Sequence, residues 1–134
     1  MNTESSSGES RRAFHVMVVD DDAALRRLYE LKLAEWPMQP LVTTFADGWA
    51  AMIRMERIKP DMLILDLKMP EMDGFRMLQH MRELSAAAIV VVSGLNSMDI
   101  AENGCIPAGI QVLQKPVPFD RLQRLAEALA SQTP

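Results

Sequence analysis

Met62-Leu63-Ile64-Leu65-Asp66 is the stretch that decides how this chain folds. Four apolar residues with no polar alternation mark a strand covered on both faces, as in the middle of a parallel sheet, and the run ends on an acid. Three other short apolar runs also lead into polar, reactive groups: Val18-Val19-Asp20-Asp21, Val91-Val92-Ser93 and Val112-Leu113-Gln114-Lys115. In an open parallel sheet wound with helices, the carboxyl ends of the strands share one crevice, and ligands bind there. Carboxylates, a hydroxyl and an ammonium gathered in that crevice suit a divalent metal and a phosphoryl group.

Outward from this strand, the pattern alternates between strand and helix. His15 to Val19 is a short β-branched run, and Leu25, Leu28, Tyr29, Lys32, Leu33 and Trp36 follow at helical spacing, with Asp22 as N-cap. Pro37 and Pro40 break that helix. Leu41 to Phe45 reads as the second strand, and Asp47 caps a second helix carrying Trp49, Met52, Ile53 and Met55, closed by Lys59-Pro60. Beyond Asp66, Asp73-Gly74 opens a third helix with Phe75, Leu78, Met81 and Leu84 along one side, and Ala86 to Val92 is the fourth strand. A fourth helix from Ser97 meets stop signals at Asn103-Gly104 and Pro107 and is expected to be short or poorly formed. Ile110 to Leu113 is the fifth strand. A last helix from about Phe119 to Ala130 buries Leu122, Leu125, Ala126 and Leu129. Five βα units imply an α/β fold with right-handed crossovers and helices on both faces. The flavodoxin-like strand order 2-1-3-4-5 is expected, in a single domain.

A chain of 134 residues fits one domain. Residues 1–13 are rich in Ser, Glu and Arg with no apolar period, so they read as a flexible tail; residues 14–131 form the body and 132–134 a short end. The net charge of -4, with Arg11-Arg12 and Arg26-Arg27 the only basic pairs, disfavours direct nucleic-acid binding. No window of about 18 apolar residues could span a membrane. The start lacks the features of a secretory signal, and the lone Cys105 can form no internal disulfide. A cytoplasmic location is expected, and Cys105 is assigned no role. The eleven methionines fall mostly at helix core positions, where Met fills gaps.

Asp66 is the expected nucleophile, because it ends the most apolar strand and a carboxylate attacking a phosphoryl donor forms an acyl phosphate. A capping role for Asp66 is less favoured, since Asp73 is better placed to cap the third helix. Asp20 or Asp21 beside Asp66 would set like charges together at roughly 1 to 4 kcal/mol per pair. Mg2+ would offset that, since it takes one or two carboxylates, keeps waters and accepts phosphate oxygens and carbonyls. Asp20, Asp21 and Asp66 are the metal-ligand candidates, with the backbone carbonyl of Lys68 as a further ligand. Ser93 and Lys115 would contact phosphoryl oxygens, and Lys115 would pair with Asp66 before modification.

On these residues the chain resembles the receiver domains of two-component response regulators, over about Phe14 to Leu129. Asp20-Asp21 looks like the family's acidic pair, Asp66 to Gly74 its phosphoacceptor segment, Ser93-Gly94 its hydroxyl-bearing switch and Lys115-Pro116 its lysine turn. The resemblance implies phosphorylation of Asp66 by a sensor histidine kinase or a histidine phosphotransfer protein. It also implies a requirement for Mg2+, with Mn2+ able to substitute, and a cis Lys115-Pro116 bond. The chain would then be a signalling phosphoacceptor rather than an enzyme acting on other molecules, a monomer or weak homodimer. It would be read by a protein target on the face made by the fourth helical segment, the fifth strand and the last helix. Val112 stands where the family often has Tyr or Phe, so the resemblance does not extend to the usual aromatic switch. Lys68 and Leu95 occupy positions that help set the hydrolysis rate, and apolar Leu95 implies slow self-dephosphorylation.

Three other readings are weighed against this one. A haloacid-dehalogenase-type phosphatase shares the strand-end Asp, the Ser or Thr, the Lys and Mg2+, and Asp20-Asp21-Asp22 contains Asp-x-Asp; its later acidic motif and cap domain are missing. A flavin-binding flavodoxin-like protein conflicts with the acidic loop after strand one. A receiver-like interaction module that is never phosphorylated differs only in leaving the site unused.

Overall fold

The computed structural model describes residues 13–67, 72–94 and 109–132. The elements are β1 (His15–Val19), α1 (Ala23–Ala34), β2 (Leu41–Phe45), α2 (Gly48–Met55), β3 (Met62–Leu67), α3 (Met72–Leu84), β4 (Ala88–Ser93), β5 (Ile110–Gln114) and α4 (Phe119–Ser131). The five strands form one sheet in the order β2-β1-β3-β4-β5, with every neighbouring pair parallel. This is the expected flavodoxin-like arrangement.

The pleat divides the core in two. Met17, Val19, Leu63, Leu65, Ile89 and Val91 face α2 and α3, where they meet Ala51, Met52, Met55, Leu78 and Met81. The alternate set, Val16, Val18, Met62, Ile64, Val90 and Val92, faces α1 and α4 and packs on Tyr29, Leu33, Leu122 and Ala126. Both faces of β3 are therefore covered, which is why its sequence carries no polar alternation.

Local chemistry sets the helix starts. Asp22 accepts the backbone N–H groups of Ala24 (2.9 Å) and Leu25 (3.2 Å), and Asp47 accepts that of Ala50 (2.8 Å). α4 has no side-chain cap, and Asp120 in its first turn supplies the negative charge favoured there.

Several details depart from the sequence reading. Trp36 lies beyond the end of α1, and the turn after it still buries the ring. Leu28, Trp49, Ile53 and Leu84 stand on the apolar stripes of their helices yet are exposed, because α1, α2 and α3 each press only a narrow side on the sheet. α3 begins at Met72, so Asp73 lies inside its first turn rather than before it. β4 starts two residues later than expected and runs through Ser93, and β5 extends through Gln114. The expected fourth helix from Ser97, with Asn103, Gly104 and Pro107, lies outside the described residues, as do Lys68, Pro70, Leu95 and Cys105.

Candidate functional site

Register brings the polar strand ends together. Val19 pairs with Leu65, Asp66 with Val92, Leu67 with Ser93, and Ser93 with Gln114. Asp20, Asp66, Ser93 and Lys115 thus come within about one residue of a common level at the carboxyl edge of the sheet. Alternation along β3 turns Asp66 to the same side as Met62 and Ile64, towards α1 and α4.

The Asp66 side chain is wholly buried, and both its oxygens have partners. Lys115 Nζ lies 2.6 Å from Oδ1, an ion pair without the alignment of a regular hydrogen bond. The Tyr29 hydroxyl donates to Oδ2 at 3.2 Å. Lys115 is fixed through its backbone, whose N–H donates to the Ser93 carbonyl at 2.8 Å, and the Lys115–Pro116 peptide is cis. The Lys115 side chain remains partly exposed.

Asp20 is buried beside this pair. Its N–H donates to the Phe45 carbonyl at 3.0 Å, its Oδ1 accepts from the Asp22 N–H at 2.9 Å, and its carbonyl accepts from Arg26 Nη1 at 2.7 Å. Its Oδ2 is buried without a hydrogen-bond partner. Burial pushes the Asp20 carboxyl up to about 6; the Asp22 N–H opposes this, the neighbouring Asp66 carboxylate adds to it, and Lys115 pulls the other way. Burial, and then the Asp66 charge, also drive the Tyr29 hydroxyl above its ordinary range.

Two clustered carboxylates against one ammonium leave negative charge uncompensated, and the orphaned Asp20 Oδ2 is an oxygen in need of a cation. Hard cations with oxygen ligands fit that donor set. Asp21 is exposed, and among the described residues no three His, Cys, Asp or Glu side chains gather as a ready cage. An ion that retains most of its waters does not need one. Ser93 is buried at the end of β4, on the strand side that faces α2 and α3. Val112 is half-buried and packs on that same side.

Tyr29 is the site residue that sequence reasoning missed. It reads as one more apolar position on the inner stripe of α1, and the signal available was its hydroxyl, which a buried tyrosine must direct to a partner. Its ring meets Phe119, the first residue of α4, edge-on with centroids 5.3 Å apart and planes at 70°. Lys32 Nζ lies 6.0 Å from the centroid of the Phe119 ring.

Comparison with known proteins agrees with this geometry. The family model for the response regulator receiver domain matches residues 16–127. Curated relatives include a protein-glutamate methylesterase/protein-glutamine glutaminase of Koribacter versatilis, 37% identical over 78 residues, covering 58% of this chain and 22% of that protein. Another, from Anaeromyxobacter dehalogenans, is 34% identical over 116 residues, covering 81% of this chain and 31% of that protein. The chain thus spans less than a third of the length of either relative. Among solved structures, a response regulator receiver protein from Sinorhizobium medicae superposes with a TM-score of 0.71 at 25% identity, over 90% of this chain and 96% of that one. With the sheet order, the strand-end cluster and the family match in agreement, the chain belongs to the response regulator receiver domains of two-component signalling systems.

Proposed function

We propose that Asp66 accepts a phosphoryl group from a phosphohistidine, carried by a sensor histidine kinase or a histidine phosphotransfer protein, and that the acyl phosphate signals through protein contacts. One observation carries this reading: a wholly buried carboxylate at the end of the central strand pairs with Lys115 while Asp20 is pressed beside it. A buried ion pair is a poor source of stability and a second acid makes it worse, so the cluster is better explained by chemistry than by structure.

In the proposed transfer the N–P bond of the donor breaks, its electron pair stays on the imidazole, and an Asp66 oxygen bonds to phosphorus. The transition state is loose, so positioning and charge do most of the catalysis. Lys115 moves from the Asp66 carboxylate to a phosphoryl oxygen, and the Ser93 hydroxyl, which starts on the α2 and α3 side one register step beyond Asp66, would turn at the end of β4 to reach another. Mg2+, for which Mn2+ would substitute, would be held by Asp20, Asp21, Asp66 and the Lys68 carbonyl, and would supply charge neutralisation for the phosphoryl oxygens. Leu95 offers no polar group to orient an attacking water, so spontaneous hydrolysis is slow. Val112, half-buried where an aromatic switch would stand, leaves the output face around β5 and α4 to respond by other means. The setting proposed is a cytoplasmic phosphorelay in which the domain acts as a monomer or weak homodimer; no described helix is long and apolar enough to cross a membrane.

Incubation with acetyl phosphate and Mg2+ tests this. Intact mass should show one phosphoryl adduct on the wild type, none on Asp66→Asn and none in chelator. An unmodified wild type would favour the silent interaction module, and steady turnover of varied phosphomonoesters would favour the phosphatase.

A further inference from the structure

Tyr29 is the only tyrosine in the chain, and it is wholly buried. Its hydroxyl holds Asp66 Oδ2, the oxygen that Lys115 leaves alone. The edge-on contact with Phe119 seats the ring between α1 and α4, and Leu33 and Leu122 of the same core cluster lie fully buried around it. A ring packed in this way cannot swing to another acceptor, so the hydroxyl stays on the acid through whatever happens there.

We propose that Tyr29 is a catalytic residue of dephosphorylation: its hydroxyl stabilises the Asp66 carboxylate as leaving group and so shortens the lifetime of the phosphorylated state. This rests on Asp66 being the phosphoacceptor. With the Tyr29 hydroxyl on Oδ2, the phosphoryl group is carried on Oδ1, the oxygen within reach of Lys115, and the second lone pair of Oδ2 is left for the cation. In hydrolysis a water oxygen bonds to phosphorus and the P–Oδ1 bond breaks. The electron pair returns to the carboxylate, where Oδ1 and Oδ2 share it, and the proton released by the water stays on the departing inorganic phosphate.

The sign of the effect follows from where charge appears. A hydrogen bond to an ionised acceptor is roughly twice as strong as one to a neutral acceptor, so the Tyr29 bond strengthens as the acyl carbonyl becomes a carboxylate. In a loose transition state the leaving oxygen already carries most of that charge, and most of the gain lowers the barrier. In the loading direction the carboxylate keeps most of its charge up to the transition state, so the same bond changes little. Tyr29 therefore accelerates loss without slowing gain.

Tyr29→Phe keeps the ring and removes the hydroxyl. After phosphorylation with acetyl phosphate and removal of the donor, decay of the adduct by intact mass should be roughly three- to tenfold slower in the variant, and the ratio of loading rate to decay rate should rise with it. A merely structural tyrosine would not split the two rates. As a second readout, tyrosine labelled with carbon-13 at Cζ gives one resonance in the wild type, which should shift on phosphorylation and return as the adduct decays. Equal adduct lifetimes in the two folded proteins would overturn the proposal, and so would an unmoved resonance in phosphorylated wild type, which decides the matter if the variant does not fold. Failure to form any adduct on either protein would instead sink the assignment of Asp66, and this inference with it.

Discussion

Asp20 is where the charges of the site are least balanced. Its carboxyl is raised from 3.8 to about 6, chiefly by burial, and the folded state therefore holds a proton between those values that the unfolded chain has released. Stability falls as pH rises through that window and stays lowered above about 6. The cost is between about 1 and 3 kcal/mol once nearby solvent is allowed for. Asp20→Asn keeps an oxygen for the Asp22 N–H and has no proton to lose. In chelator its stability relative to wild type should rise by that amount between about pH 4 and pH 7, as read from urea unfolding. An unchanged difference would show that the Asp20 charge is already compensated. At this scale Asp20, Asp66 and Lys115 were legible because each stands within two residues of the end of an apolar run, which fixes its level in the sheet. Tyr29 was not: helical spacing says which residues face inward, and it does not say what a buried hydroxyl touches.

Helix starts show how tightly the elements fit. Gly48 opens α2 directly after its Asp47 cap, and a Cβ there would overlap Sδ of Met77 and approach its Cγ to 3.1 Å, so α2 and α3 meet at this point with no room between them. Gly48→Ala should cost about 1 to 2 kcal/mol, at the low end for overpacking because a thioether gives way easily. Most of that cost should vanish in a Met77→Ala background, as measured by a double-mutant cycle of chemical denaturation. Element types were readable throughout the described chain, since period and capping agree at α1 and α2. Boundaries were less so: β4 and β5 run further along the sheet than their apolar runs, because ladder pairing with β3 and β4 carries the polar residues Ser93 and Gln114. Burial was over-read at Trp49 and Ile53, where an apolar stripe is wider than the surface the sheet can cover.

For the whole molecule, one crevice gathers the ends of β1, β3, β4 and β5 and holds the like charges of Asp20 and Asp66 together, so a cation there acts on global stability. Mg2+ at a hundredfold excess over its Kd contributes about 2.7 kcal/mol, a rise in Tm on the order of 10 °C for a domain of this size. Differential scanning calorimetry should show that rise in wild type and none in an Asp20→Asn, Asp66→Asn double variant; an equal rise in both would place the ion elsewhere. The strand order was legible because a run as apolar as Met62 to Leu65 can only be central, and the remaining elements then have few right-handed ways to surround it.

The two tryptophans sit in opposite surroundings: Trp36 is 3% exposed under the α1 and α4 layer, while Trp49 is 59% exposed beside Ile53 and His80 on the other layer. The chain thus carries two native fluorophores of contrasting polarity, one emitting from a dry interior and one from water. A soluble quencher silences the second first, so each side of the sheet can be watched separately by light alone, without any attached dye.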